Sequence, residues 1–135
     1  MFCYSKILNL DNSIKISVWD CEHLGSDDII GKIQLRVSAL QDQEMHEQWY
    51  PLYSASSKDD VSGEVNLKLK YSPPNEAELK PGKLFVSVVQ GRHLASKDSN
   101  GLSDPYVKLQ LGDDKRKTQV QQETLCPLWR EDFEL

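Results

Sequence analysis

Short runs of alternating apolar and polar residues, broken at small intervals by glycine, constrain this chain more than any other feature. Ile14, Ile16 and Val18 alternate with Lys15 and Ser17, and Val65, Leu67 and Leu69 alternate with Asn66, Lys68 and Lys70. Leu84, Val86 and Val88 stand among Lys83, Phe85 and Ser87. Successive side chains of a strand point to opposite faces, so a period of two marks half-buried strands. Gly25, Gly31, Gly63, Gly91, Gly101 and Gly112 punctuate the runs. Eight strands are expected, over 14–20, 29–36, 47–53, 63–71, 83–90, 105–111, 116–122 and 128–135. Many short strands with frequent turns predict an all-β, eight-stranded antiparallel Greek-key sandwich. Only Val37 to Gln48, with Val37, Leu40 and Met45 among polar residues, suits a helical turn. Trp19, Trp49, Trp129, Tyr106 and Phe133 are expected in the core between the two sheets.

Two acidic loops interrupt the strand pattern. Asp98 and Asp104 flank a glycine-containing loop, Leu94 to Lys108, that runs straight into a strand. Far upstream, the stretch Val18 to Gly31 offers Asp20, Glu22 and Asp28 from a second strand-loop-strand unit. Asp20 and Glu22 are two apart at a strand end and so leave the same face, and Asp28 returns at the start of the next strand. Asp27 competes with Asp28 for that last role. Calcium takes six to eight oxygens, and carboxylates from two loops can surround it. The five residues Asp20, Glu22, Asp28, Asp98 and Asp104 therefore form the candidate calcium site.

The loops and their strands resemble the C2 domains, calcium-dependent phospholipid-binding β-sandwiches found in tandem in synaptotagmins, extended synaptotagmins and multiple-C2 transmembrane proteins. Gly82 to Gly91, continuing through Thr124-Leu-Cys-Pro-Leu-Trp-Arg-Glu-Asp-Phe-Glu-Leu135, is similar to the first four strands of such a domain. Ile14 to Asp20, Ile29 to Leu35, Gln48-Trp-Tyr-Pro-Leu52 and Ser62 to Tyr71 are similar to the last four. The resemblance thus reads residues 1–71 as the C-terminal half of one C2 domain, 72–82 as a linker or inter-strand loop, and 83–135 as the N-terminal half of the next. It implies that Asp98 and Asp104 take the first-loop ligand positions and Asp20, Glu22 and Asp28 the third-loop ones. Glu22 departs from the commoner Asp, and its extra methylene implies a weaker site or one with fewer ions.

Roughly 70 residues is already marginal for a complete domain, so each half needs a partner. The expected partner is the other half, in one composite, circularly permuted C2-like sandwich with Asp132–Leu135 close to Met1–Phe2. A swapped dimer of two chains is the structural rival.

The resemblance also implies function: calcium-dependent binding to anionic phospholipid membranes, phosphatidylserine or phosphoinositide, as a targeting or tethering module in membrane trafficking or signalling. The alternative is a calcium-independent scaffold with protein partners or lipid. Lys108 and Lys115-Arg116-Lys117 lie where a lysine-rich strand of the family contacts phosphoinositides, and such cations suit anionic head groups. Leu24 and Leu102 stand near the loop tips, where they can add apolar contact with a membrane. An edge strand protected by charge is the plainer reading of the lysines.

Composition narrows the field. The chain is 39% hydrophobic and 27% charged with a formal net charge of −5, a balance that fits neither disorder nor a generic nucleic-acid binder. No apolar run approaches the roughly 18 residues that cross a bilayer, and Met1 to Lys6 lacks the layout of a secretory signal. Three cysteines suit a reducing cytoplasm, with the chain peripheral at membranes and any anchor carried by a longer parent. An EF-hand reading fails, because Gly101 as loop position six places Ser96 at the first ligand and Val107 where a bidentate Glu belongs. With no G-x-S-x-G, H-E-x-x-H or phosphate-binding glycine loop, no catalysis is expected. Cys21 and His23 are expected to be ordinary loop residues, since a lone Cys-x-His pair is a poor metal site.

Overall fold

A computed structural model describes residues 12–54 and 61–135. The strands are β1 (Ser13–Asp20), β2 (Asp28–Arg36), β3 (His46–Tyr53), β4 (Val61–Ser72), β5 (Lys83–Arg92), β6 (Pro105–Leu111), β7 (Asp114–Lys117) and β8 (Leu128–Glu134). A 3-10 turn, Val37–Leu40, follows β2 and buries Val37 and Leu40. Among the described residues no helix is long and apolar enough to cross a membrane. The expected proximity of Asp132–Leu135 to Met1–Phe2 lies outside the described residues.

All strand pairs are antiparallel, in the order β7-β6-β1-β2-β3-β4-β5-β8. The link between β2 and β3 is a single pair, Lys32 with Tyr53. The ladder therefore folds over at this point into two four-stranded layers, β7-β6-β1-β2 and β3-β4-β5-β8, the expected antiparallel β-sandwich. Gly31 makes the fold-over possible: a Cβ there would stand 2.8 Å from Leu52 Cβ and 3.3 Å from the Tyr53 carbonyl oxygen.

The alternating residues fill one core. Ile14, Ile16 and Val18 of β1 and Val107, Leu109 and Leu111 of β6 face Val65, Leu67 and Leu69 of β4 and Leu84, Val86 and Val88 of β5. Trp129 is buried there and Phe133 packs against that core, whereas Tyr106, expected in the core, is buried outside it on the face it shares with its register partner Trp19, under Lys108 and bonded to Asp27. Trp19 and Trp49 differ from expectation: both are only half-buried. A ladder irregularity between Val18 and Trp19 does not bring the indole inward, and Trp19 lies under Lys108 while Trp49 lies under Arg92, whose guanidinium is 3.8 Å from the ring centre. Cations over the ring faces shelter both indoles without core burial.

The strand expected over 116–122 is shorter and begins earlier, at Asp114. It ends because Thr118 substitutes its hydroxyl for a backbone partner: Val107 N–H donates to Thr118 Oγ1 at 2.9 Å. Thr118 N–H still donates to the Val107 carbonyl, but the ladder goes no further.

Candidate metal centre and cationic face

The end of β1 delivers Asp20 between two neighbours. Its register partners are Asp28 on β2 and Pro105 on β6, so the first acidic loop and the second meet at this one residue. Asp20 is 0% exposed. Its Oδ1 accepts the Asp104 N–H at 2.7 Å, and the Asp104 carbonyl accepts the Cys21 N–H at 2.9 Å. The two loops are thereby stitched together across 84 residues of sequence.

Each loop is also braced internally. In the downstream loop Asp98 N–H donates to the Leu102 carbonyl and Gly101 N–H to the Asp98 carbonyl, a turn that needs the positive φ of Gly101, 81°. The buried Ser103 hydroxyl donates to the Ala95 carbonyl at 3.0 Å and accepts the Lys97 N–H at 2.9 Å. Asp104 Oδ1 accepts the Glu123 N–H at 2.7 Å, tying a third loop to the site. In the upstream loop Asp27 Oδ1 accepts the Glu22 N–H at 2.9 Å, and its Oδ2 accepts the Tyr106 hydroxyl. Those bonds hold the Asp27 carboxyl below its ordinary pKa, the Glu22 N–H first and the Tyr106 hydroxyl second. Asp27 is thus a brace between β6 and its own loop.

Two carboxylate triads result: Asp20, Glu22 and Asp28, and Asp20, Asp98 and Asp104, each with ligand atoms within 4.8 Å of one another. Asp20 belongs to both, so the centre is one cluster with two lobes, and it brings together all five residues singled out in the sequence. Asp20 Oδ2 is buried and has no hydrogen-bond partner. A buried anionic oxygen without a partner is costly, and a cation beside it would remove the cost. The donors are all carboxylate oxygens, the hard set that suits calcium. The Cys21 thiol and His23 ring are in neither triad. The crowding of charge is felt by its members: the hydrogen bond that a protonated Glu22 can donate to Asp20, then burial, then the charges of Asp20, Asp98 and Asp28 push Glu22 up to about 7. Burial first, and then Asp20, raise Asp98 as well.

Beside the cluster, the outer face of the β7-β6-β1-β2 layer carries a groove of about 870 Å³. Lys15, Ser17 and Trp19 of β1, Lys32 and Gln34 of β2, Lys108 and Gln110 of β6, and Lys115 of β7 line it. Lys108 Nζ sits 4.1 Å from the Trp19 ring centre and 5.9 Å from that of Tyr106. Lys117 is the register partner of Lys108 and shares its face. Arg116 does not: paired with Leu109, it turns to the other side, where its guanidinium meets Asp114 at 2.9 Å and donates to the Glu134 carbonyl at 3.1 Å. It bridges β7 and β8 and still lines, with Lys108, Lys115 and Lys117, a shallow groove of about 320 Å³ at the sheet edge. Lys15 and Lys32 were missed in the sequence, because isolated lysines at alternate positions become a patch only once the strand pairing is known.

At the loop tips Leu24 is 91% exposed. Leu102 is half-buried, with its N–H bound to Asn100 Oδ1 and its carbonyl accepting from Asp98 N–H and the Ser96 hydroxyl. Only Leu24 projects freely.

The C2 domain family model matches residues 1–52 and 82–135. Ras GTPase-activating protein 4 of Mus musculus is 33% identical over 127 residues, which cover 92% of this chain and 15% of that protein. Synaptotagmin-1 of Homo sapiens is 30% identical over 127 residues, covering 90% and 29%. Ras GTPase-activating protein 4B of Homo sapiens is 32% identical over 124 residues, covering 91% and 15%. The chain spans less than a third of the length of these relatives. From the sandwich, its acidic end and these matches, the chain belongs to the C2 domain family.

Proposed function

We infer that the chain is a binding module, not a catalyst, which attaches to anionic phospholipid membranes when calcium is present. The observation that carries this reading is the buried, unpartnered Oδ2 of Asp20 between two carboxylate triads. When bound, calcium supplies positive charge and open coordination positions that phosphate oxygens can fill. Asp20, Glu22, Asp28, Asp98 and Asp104 would hold it. The residues around them do the rest: Ser103, Asp27 and Asp104 fix the loops, and the exposed Leu24 enters the head-group region. Burying one leucine side chain contributes about 2 kcal/mol, or about 30-fold in membrane affinity.

A second reading has its own observation. The groove of Lys15, Lys32, Lys108 and Lys115 around Trp19 involves none of the acidic residues, so attraction to phosphoinositide phosphates there needs no metal. Sedimentation with phosphatidylserine vesicles separates the two. Binding in calcium that disappears in chelator, and falls about 30-fold in Leu24→Asp, supports the calcium-dependent module. Equal binding in chelator refutes it and favours the calcium-independent scaffold.

The setting we infer is a longer cytoplasmic protein, peripheral at membranes, in signalling or trafficking. The names of the Ras GTPase-activating relatives and of Synaptotagmin-1 support it. Within that parent, residues 1–71 read as the end of one C2 domain and 83–135 as the start of the next. Each relative matches both segments within one alignment of at least 124 residues, which supports a parent with the halves in this order.

A further inference from the structure

The exposed turn between β4 and β5 divides the molecule in an unusual way. Every residue from Pro73 to Pro81 is exposed, and the turn is closed by a reciprocal pair of bonds between Asn75 and Lys80. Before it come β1 to β4, and after it β5 to β8. Each half gives two strands to each layer: β1 and β2 join β6 and β7 in one, while β3 and β4 join β5 and β8 in the other. The halves therefore meet along two long seams, β1 with β6 from Ile14–Leu111 to Asp20–Pro105, and β4 with β5 from Glu64–Arg92 to Ser72–Lys83.

The β1–β6 seam ends in the acidic cluster. The first half holds Asp20, Glu22 and Asp28, and the second holds Asp98 and Asp104, so neither half contains the whole donor set. Asp20 Oδ1 finds its partner only across the seam, in the Asp104 N–H, and Asp20 Oδ2 finds none. The Cys21 N–H to Asp104 carbonyl bond and the Tyr106 hydroxyl to Asp27 bond also cross it. Without a cation, like charges from the two halves face each other at this end of the seam, and the buried oxygen is uncompensated.

We propose that the acidic cluster is a calcium-dependent latch between the two halves, so that calcium sets how tightly a β1–β4 half grips a β5–β8 half. Resting on the calcium reading above, it gives the same carboxylates a second role, that of joining halves within one chain or between two copies of it. The joined cluster offers ten carboxylate oxygens, whereas the second half alone offers four and the first half six, the bare minimum and only with every carboxylate bound through both oxygens, so full coordination favours donors from both sides of the seam. Binding to the joined state and only weakly to either half must shift the equilibrium towards joining.

The test uses the full chain with a protease site placed in the 73–81 turn and cut after folding. The dissociation constant of the two halves is measured by dilution and size-exclusion chromatography, and by the urea midpoint of separation where parting is slow. At free calcium about 100 times its dissociation constant for the uncut chain, the halves are expected to bind about 100-fold more tightly than in chelator. Asp98→Asn should abolish the calcium effect while leaving the halves at least as tightly joined in chelator, since one opposing charge is gone. Halves that part equally readily with and without calcium, although the uncut chain melts higher in calcium, overturn the latch and leave the calcium reading intact. An uncut chain whose melt ignores calcium overturns both.

Discussion

Replacing Asp20 by Asn should make the metal-free protein more stable and deaf to calcium, a combination that a structural hydrogen-bonding role would not produce. In the folded state Asp20 is fully buried, with one oxygen bonded to the Asp104 N–H and the other without a partner. An unsatisfied buried polar atom costs about 1–3 kcal/mol. Asn keeps an oxygen for the Asp104 N–H and turns its amide towards the neighbouring carboxylates, so that cost is removed. The bond to Asp104 loses its charge assistance, a loss of about 1 kcal/mol. The net gain is about 1 kcal/mol, or roughly 4 °C in the midpoint for a domain of this size. Wild-type protein at calcium 100 times its Kd should gain about 2.7 kcal/mol, roughly 10 °C. Differential scanning calorimetry at pH 8, where Glu22 no longer carries a proton to lend Asp20, gives all four midpoints in chelator and in calcium. An Asp20→Asn variant that melts below wild type in chelator, or still rises in calcium, would refute the reasoning, because Asp20 would then be a loop brace and nothing more.

The pH profile and one core substitution offer two further checks. Glu22 is lifted from 4.5 to about 7 by its neighbours, so folding takes up a proton between those values. Its contribution to the metal-free protein is fully present below about 4.5 and lost as pH rises through about 7. Comparing wild type with Glu22→Gln in chelator from pH 4.5 to 8 should show wild type losing stability relative to the variant as pH rises, and calcium affinity of wild type should weaken as pH falls through 7. A pH-independent difference between the two would count against proton sharing in the cluster. Separately, Gly31→Ala drives a Cβ to within 2.8 Å of Leu52 Cβ at the fold-over between the layers. Overpacking of this kind costs about 1–3 kcal/mol, read as a lowered urea midpoint, and an unchanged midpoint would mean that the layers can slide apart freely there.

Much of this fold was written in local pattern. Period two located the strands and sorted Ile14, Ile16 and Val18 inward from Lys15 and Ser17. The same rule separates Arg116 from Lys115 and Lys117, although the three read as one basic block when alternation is set aside. What the local pattern lacked was partners distant in sequence. Asp27 and Asp28 are adjacent and alike, and the choice between them is made by Tyr106, 79 residues away, which takes Asp27 for a brace. Trp19 and Trp49 have the residue type of a core but the outward phase of their strands, and only the positions of Lys108 and Arg92 explain how they are sheltered. Strand β7 stopped early because a threonine hydroxyl took the place of a carbonyl partner.

The interleaving of the two halves has a consequence for synthesis on the ribosome. Within this sandwich, the β6 strand that lies against β1 is made much later than β1 itself: the Asp20–Asp104 contact alone spans 84 residues. At about 5–20 residues per second, those 84 residues take roughly 4–17 s to make, so pairing of β1 with β6 comes late. β4 waits far less, since β5 follows it after one short turn. Pairing at such long range is slow and leaves sticky edges open meanwhile. The lysines along β1 and β2, besides lining the finished groove, are well placed to keep that unfinished edge from finding a neighbouring chain on the polysome.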